Sequence, residues 1–341
     1  MKNKNKIILL LLCVTLALSL LLNVSLGQVF IPFKEIMKSL FFGSTNNSTW
    51  DYIILNFRIP KAITAVLVGI GLSISGLLMQ TLFRNPLAGP YVLGLSSGSS
   101  LGVAFVLLGS TFLPASLNWL LTSDLSIVLA SCLGSLVVLG CILMAIKKLR
   151  DTSMVLIVGL MFSSFSGAII NVLSYFSNAE QLQKYTFWSM GSIGNLTVSQ
   201  LVILTICVVI GLVISLRSIK SLDALLLGEN YAKSIGVNIS KSRFWIIMAT
   251  AIFAGSITAF AGPIAFVGLA VPHMAKLILQ TSNHKMVFVA TLLLGSIIML
   301  LCDLISQMPG ANFTLPINAV TSMIGAPMVI WLIGKRKFYR N

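Results

Sequence analysis

The fold class this sequence predicts is an all-α polytopic membrane protein of about ten transmembrane helices with an inverted repeat and cytoplasmic N- and C-termini. Composition is the first observation behind it. Of 341 residues, 57% are hydrophobic and only 9% are charged, and mean hydropathy is +0.99. Soluble domains carry about 25% charged residues, because their surface must be covered with polar groups. So much apolar material needs lipid around it. Disordered, collagen-like, disulfide-scaffold and soluble-enzyme classes are excluded at once. Run length is the second observation. The apolar stretches are continuous over roughly the 20 residues a helical span requires, without the alternation of a lipid-facing barrel. Charge placement, taken up below, is the third.

In chain order, spans are expected at 7–27, 62–83, 91–109, 125–146, 154–176, 196–216, 244–261, 264–279, 286–302 and 317–333. The first follows a basic start, as in a signal peptide, but its run is long for one and no clear A-x-A site follows; a retained helix is expected. Pro60 suits the start of the second, since the N–H it lacks would be unpaired there. Gly69, Gly71, Ser73, Ser75 and Gly76 then allow close helix approach. Pro263 and Pro272 are expected to break the eighth span. Residues 178–193 carry Glu180 and Lys184 beside Tyr185, Phe187 and Trp188, which suits a short half-helix at the outer interface, a depth aromatic rings prefer.

Net charge is +15. With both ends inside, 18 of the 23 Lys and Arg fall on the inner side, and Lys34, Lys38, Arg58, Lys61 and Lys184 on the outer. That bias supports an even number of spans, and the basic balance then reports orientation rather than nucleic-acid binding. The five cysteines sit singly in apolar runs and read as small buried hydrophobes. The whole of residues 1–341 reads as one permease-like membrane domain. Ala88-Gly-Pro-Tyr-Val-Leu-Gly-Leu95 resembles Ala261-Gly-Pro-Ile-Ala-Phe-Val-Gly-Leu269 with one residue inserted, at opposite faces in this topology. An inverted repeat would leave such a pair, and so would chance between glycine-rich segments.

Residues 217–243 form the longest polar interruption on the inner side. Leu222, Leu225 and Leu226 fall at helical spacing, Gly228 interrupts, and Glu229 to Ile235, with Ala232, makes a second short run closed by Gly236. Such a protrusion is either a knob for a partner's groove or a solvated connector. Arg58 and Lys61 are outer-side cations that either snorkel to headgroups or meet a partner's carboxylates. His273, after Pro272, reads as a packed, hydrogen-bonded histidine more readily than as a haem or metal ligand. Asp303 reads as a capping or interfacial carboxylate more readily than as a proton relay. No G-x-x-x-x-G-K-[ST] occurs, so the chain has no P-loop for ATP. No nucleophile–base set or metal-ligand cluster has credible spacing, and no metal is expected.

Arg58-Ile-Pro-Lys61, Gly76-Leu-Leu-Met-Gln80, Arg84-Asn-Pro-Leu-Ala88, Leu93-Gly-Leu-Ser-Ser-Gly98, Leu227-Gly-Glu229, Ile235-Gly-Val237, Gly262-Pro-Ile-Ala-Phe-Val-Gly-Leu269, Val271-Pro-His273 and Gly325-Ala-Pro327 follow in unbroken order. Together they resemble the FecCD-type permeases, membrane subunits of ABC importers for ferric siderophores, haem and cobalamin. The resemblance implies pairing with a second copy or a related permease, two ATPase subunits docked on the knobs, and an external substrate-binding protein. It implies coupling helices across Leu222, Leu225, Leu226, Gly228, Glu229, Ala232 and Gly236. It places binding-protein docking at Arg58 and Lys61, and a cytoplasmic gate near Asn85, Thr152 and Ser153, with residues 154–176 lining the path. Three departures weaken the outer docking assignment. Gln307 stands where the family usually has Arg, Thr314-Leu-Pro316 replaces a common Glu-Leu-Pro, and Lys61 replaces a common Arg, losing its bidentate fork.

The expected function is therefore a non-enzymatic permease subunit in the cytoplasmic (inner) membrane. It would work by alternating access, bind no cofactor, and draw on ATP hydrolysed by a partner. Ferric siderophore is the favoured cargo, ahead of haem and cobalamin. An ion-coupled secondary transporter is the alternative, and the scarcity of intramembrane ionisable residues counts against it.

Overall fold

The computed structural model describes residues 2–27, 29, 31–42, 47–109, 123–148, 152–194, 196–281, 283–308 and 313–338. Among the described residues every regular element is helical. The order is α1 (Lys2–Ser25), α2 (Phe33–Phe42), α3 (Ser48–Ile53), a π-helical turn (Ile54–Arg58), α4 (Ile59–Leu82), a 3-10 turn (Pro90–Leu93), α5 (Leu95–Leu107) and α6 (Asp124–Lys148). Then follow α7 (Thr152–Phe176), α8 (Ala179–Ser189), α9 (Val198–Leu227), α10 (Glu229–Ser234), α11 (Ile239–Ala261), α12 (Val267–Leu279), α13 (His284–Ser306) and α14 (Ile317–Phe338).

Seven described helices are long and apolar enough to cross a membrane: α1, the continuous run Ser48–Leu82, α6, α7, α9, α11 and α13. The helices α5, α12 and the apolar part of α14, Ile317–Trp331, are shorter. At 13 residues, α5 rises about 20 Å, less than the hydrocarbon layer. Each expected span falls on one of these helices. The expected half-helix is α8, begun by a capping box in which Asn178 and Gln181 exchange side-chain-to-backbone bonds.

Contacts divide the chain into two compact units. One is Met1–Ser73, Ser192–Ile206 and Ala265–Asn341. Within it α1, α12 and α14 pack against α13. The α4–α13 contact is backbone to backbone: a Cβ on Gly69 would stand 2.3 Å from the Gly295 carbonyl oxygen, and Ser73 Oγ donates to the Thr291 carbonyl at 3.1 Å. The other unit is Ile74–Gly191 and Cys207–Ile264. Here α5 packs on α6, α7, α8 and α11, and α6 also on α7 and α11. A Cβ on Gly134 of α6 would stand 2.0 Å from the Gly98 carbonyl oxygen of α5. Small residues permit this closeness, which in a membrane replaces the hydrophobic drive between helices.

Three local expectations are corrected. Pro272 lies inside α12 without ending it, while Pro263 sits in the extended lead before it. Leu222, Leu225 and Leu226 do not form a separate short helix; they are the last turns of the 30-residue α9. The two similar segments differ in where the turn falls. Gly94 (φ 73°) precedes the 13-residue α5, and Phe266 (φ 65°), not Gly268, takes that place before the 13-residue α12. Phenylalanine in the left-handed region is strained. It packs against Gly325, where a Cβ would stand 2.4 Å from the Phe266 Cβ.

Candidate functional site

The turn between α9 and α10 is built around Gly228. Its φ of 122° and ψ of 148° suit glycine alone, and its carbonyl accepts from Ala232 N–H at 2.8 Å to start α10. Glu229 Oε1 accepts from Arg243 Nη2 at 2.6 Å, fastening α10 to α11. Gly236 (φ 86°) then reverses the chain. Leu222, Leu225 and Ala232 are buried, so they anchor the turn. The apolar surface it presents consists of Leu226, Leu227, Tyr231 and Ile235; Leu227 is 68% exposed. Water tolerates such a cluster poorly, and a partner's groove would cover it.

After α4, Arg84 (φ 47°) turns the chain, and Asn85 Oδ1 accepts from Leu87 N–H at 2.9 Å in an Asx turn. Thr152 and Ser153 open α7, and their side chains lie outside the described residues. Along α7 a broad face is uncovered: Met154, Ile157, Leu160, Met161, Phe165, Val172 and Phe176 are exposed, and Ser164 and Asn171 lie among them. Ser164 Oγ donates to the Leu160 carbonyl at 3.1 Å, which leaves Asn171 as the exposed amide on this apolar span.

Arg58 and Lys61 are both engaged within the chain. Arg58 is buried and Nη1 donates to the carbonyls of Val24 and Ser25 at 2.7 and 2.8 Å, while Nη2 donates to that of Val29. Cations suit a helix C-terminus, where carbonyls lack intrahelical partners. Lys61 Nζ stands 3.0 Å from Asp303 Oδ1. Asp303 Oδ2 accepts from Asn23 Nδ2 at 2.9 Å and from Gln307 Nε2 at 2.7 Å. Gln307, the departure from the family pattern, thus satisfies this carboxylate one helical turn away.

Within α8, Lys184 Nζ pairs with Glu180 Oε1 at 2.8 Å, and that hydrogen bond holds the Glu180 carboxyl below its ordinary range. His273 is buried inside α12. Among the described residues no group of three His, Cys, Asp or Glu could hold a metal.

Sequence reading missed Asn23, Arg243, Leu227 and Tyr231. Asn23 carried a signal, being an amide inside a leucine-rich span. The Arg243–Glu229 pair carried none, because its partners stand fourteen residues apart across a turn.

The FecCD transport family model matches residues 14–335. The hemin transport system permease protein HmuU of Yersinia pestis is 32% identical over 335 residues, covering 98% of this chain and 96% of that protein. The vitamin B12 import system permease protein BtuC of Vibrio cholerae is 32% identical over 288 residues, 84% of each chain. A solved structure, described as an inward-facing conformation of a metal-chelate type ABC transporter, matches with a TM-score of 0.84 at 26% identity, covering 96% of this chain and 99% of that one. With its long apolar helices and a match spanning nearly its whole length, the chain is a multi-pass inner-membrane protein that belongs to the FecCD transport family.

Proposed function

We propose that this chain is the permease subunit of an ABC importer for a metal chelate, with ferric siderophore first and haem or cobalamin next. Two permeases, identical or related, would pair across the membrane, and alternating access would carry the cargo inward. Two separate ATPase subunits would grip the protrusions. An external binding protein would deliver the cargo. ATP belongs to the partner, since this chain has no P-loop. The hemin and vitamin B12 relatives support the cargo class.

The observation that carries the reading is the uncovered Leu226, Leu227, Tyr231 and Ile235 around a glycine turn pinned by Glu229 and Arg243. Its anchors are Leu222, Leu225, Ala232 and Gly236. Asn85, Thr152 and Ser153 are assigned to the cytoplasmic gate. Arg58 and Lys61 would serve outer docking indirectly, by shaping the end of α1 and α4, since their charges are already engaged.

The test is Gly228→Trp in cells offered haemin, cobalamin and ferric siderophores in parallel. A side chain at φ 122° is strained and would deform the protrusion. Uptake should fall about tenfold or more while membrane insertion is unchanged, a coupling change of ordinary size. Unchanged uptake would remove the protrusion from the mechanism.

A further inference from the structure

The Arg84-Asn85-Pro86 motif contains an arginine that the proposed function leaves without a task. Arg84 adopts a left-handed φ of 47°, uncommon outside glycine, one residue before the Asx turn of Asn85. That turn of the backbone brings its side chain to the protrusion. A Cβ on Gly228 would stand 3.8 Å from Arg84 Nη2 and 3.9 Å from Nη1, so the exposed guanidinium lies beside the turn. Gly228 directly follows the C-terminal end of α9. Helix C-termini present unpaired carbonyls and a partial negative charge, which a guanidinium with five donors suits. The Gly228 turn is therefore bracketed by two arginines. Arg243 ties α10 to α11, and Arg84 alone of the two comes from the loop that carries Asn85.

We propose that Arg84 is a positioning residue linking the Gly228 turn to the Asn85 loop, so that displacement of α10 is passed to residues 84–90. The proposal rests on the reading of the Gly228 turn as the ATPase-docking element. The Glu229–Arg243 bond ties α10 to α11 instead. A lysine would keep the charge at the helix end and lose the forked donors of the guanidinium.

The experiment uses the full permease assembled with its ATPase in membranes, with a reporter cysteine made by Leu87→Cys, a position 45% exposed. A maleimide measures how fast that cysteine reacts with and without ATP. With Arg84 intact, ATP should change the rate about fivefold or more, an ordinary coupling factor. With Arg84→Met the change should fall below about twofold, while the ATPase still co-purifies and hydrolyses ATP, and Arg84→Lys should restore part of it. Arg84→Gln is a second variant in case the methionine chain does not insert. An ATP response that survives both substitutions overturns the proposal. Leu227→Asp separates the two failures: if the ATPase remains bound to that variant, the docking reading falls and the Arg84 proposal with it.

Discussion

Lys61 Nζ and Asp303 Oδ1 stand 3.0 Å apart, with the carboxylate side chain only 2% exposed and the lysine 22%. A buried ion pair contributes little net stability, but removing one partner strands the other charge at a cost of roughly 3–5 kcal/mol. Asn23 and Gln307 would still donate to a stranded Asp303, which places Lys61→Met near the lower end. Lys61→Met should therefore lower the melting temperature of the purified permease, and Lys61→Met with Asp303→Asn should recover most of the loss. Additive losses in the double variant would mean that the two residues do not interact. This pairing was half legible. The sequence marked both residues as costly near a membrane, yet the partner of each depends on how α4 and α13 meet, which spacing along one chain does not disclose.

Hydropathy along the seven long helices is similar, from 1.9 to 2.8, while coverage is not. Within the most apolar 18-residue stretch of each, 83% of residues are buried in the run 48–82, 72% in α11 and 67% in α13, against 17% in α1 and α7 and 28% in α6 and α9. Lipid tails are as apolar as leucine, so apolarity alone cannot separate a central helix from a peripheral one. Small residues mark instead where two helices meet backbone to backbone: Gly69 and Ser73 of α4 touch Gly295 and Thr291 of α13. Helix α6 tests this within a single element. Gly134→Ala should destabilise by about 1–3 kcal/mol or more, because its new methyl group would collide with the Gly98 carbonyl. Gly140→Ala, with nothing within 4 Å, should be nearly neutral in the same thermal-melt assay. Equal losses would deny that the α5–α6 crossing depends on backbone contact. Where sequence reading erred at this scale, caps decided. Phe266 takes a glycine-like conformation, and α9 continues through its leucines to Gly228 because no residue before it ends the helix.

Across the whole molecule, family, span positions and the glycine turn were readable because each rests on local composition or ordered motifs. The apolar surface at the turn was not, since the burial of Leu222 and Leu225 and the exposure of Leu227 and Tyr231 arise from packing. An ion-coupled carrier would need carboxylates inside its spans, and the one the sequence singles out, Asp303, is bonded to Lys61, Asn23 and Gln307. A permease driven from inside by ATPases instead needs the α9–α10 turn to face the cytoplasm. Tyr231→Cys, labelled by a membrane-impermeant maleimide, measures that directly. The account predicts reaction in inverted membrane vesicles, slowed when the ATPase is bound, and none in intact cells. Labelling from outside intact cells would contradict it.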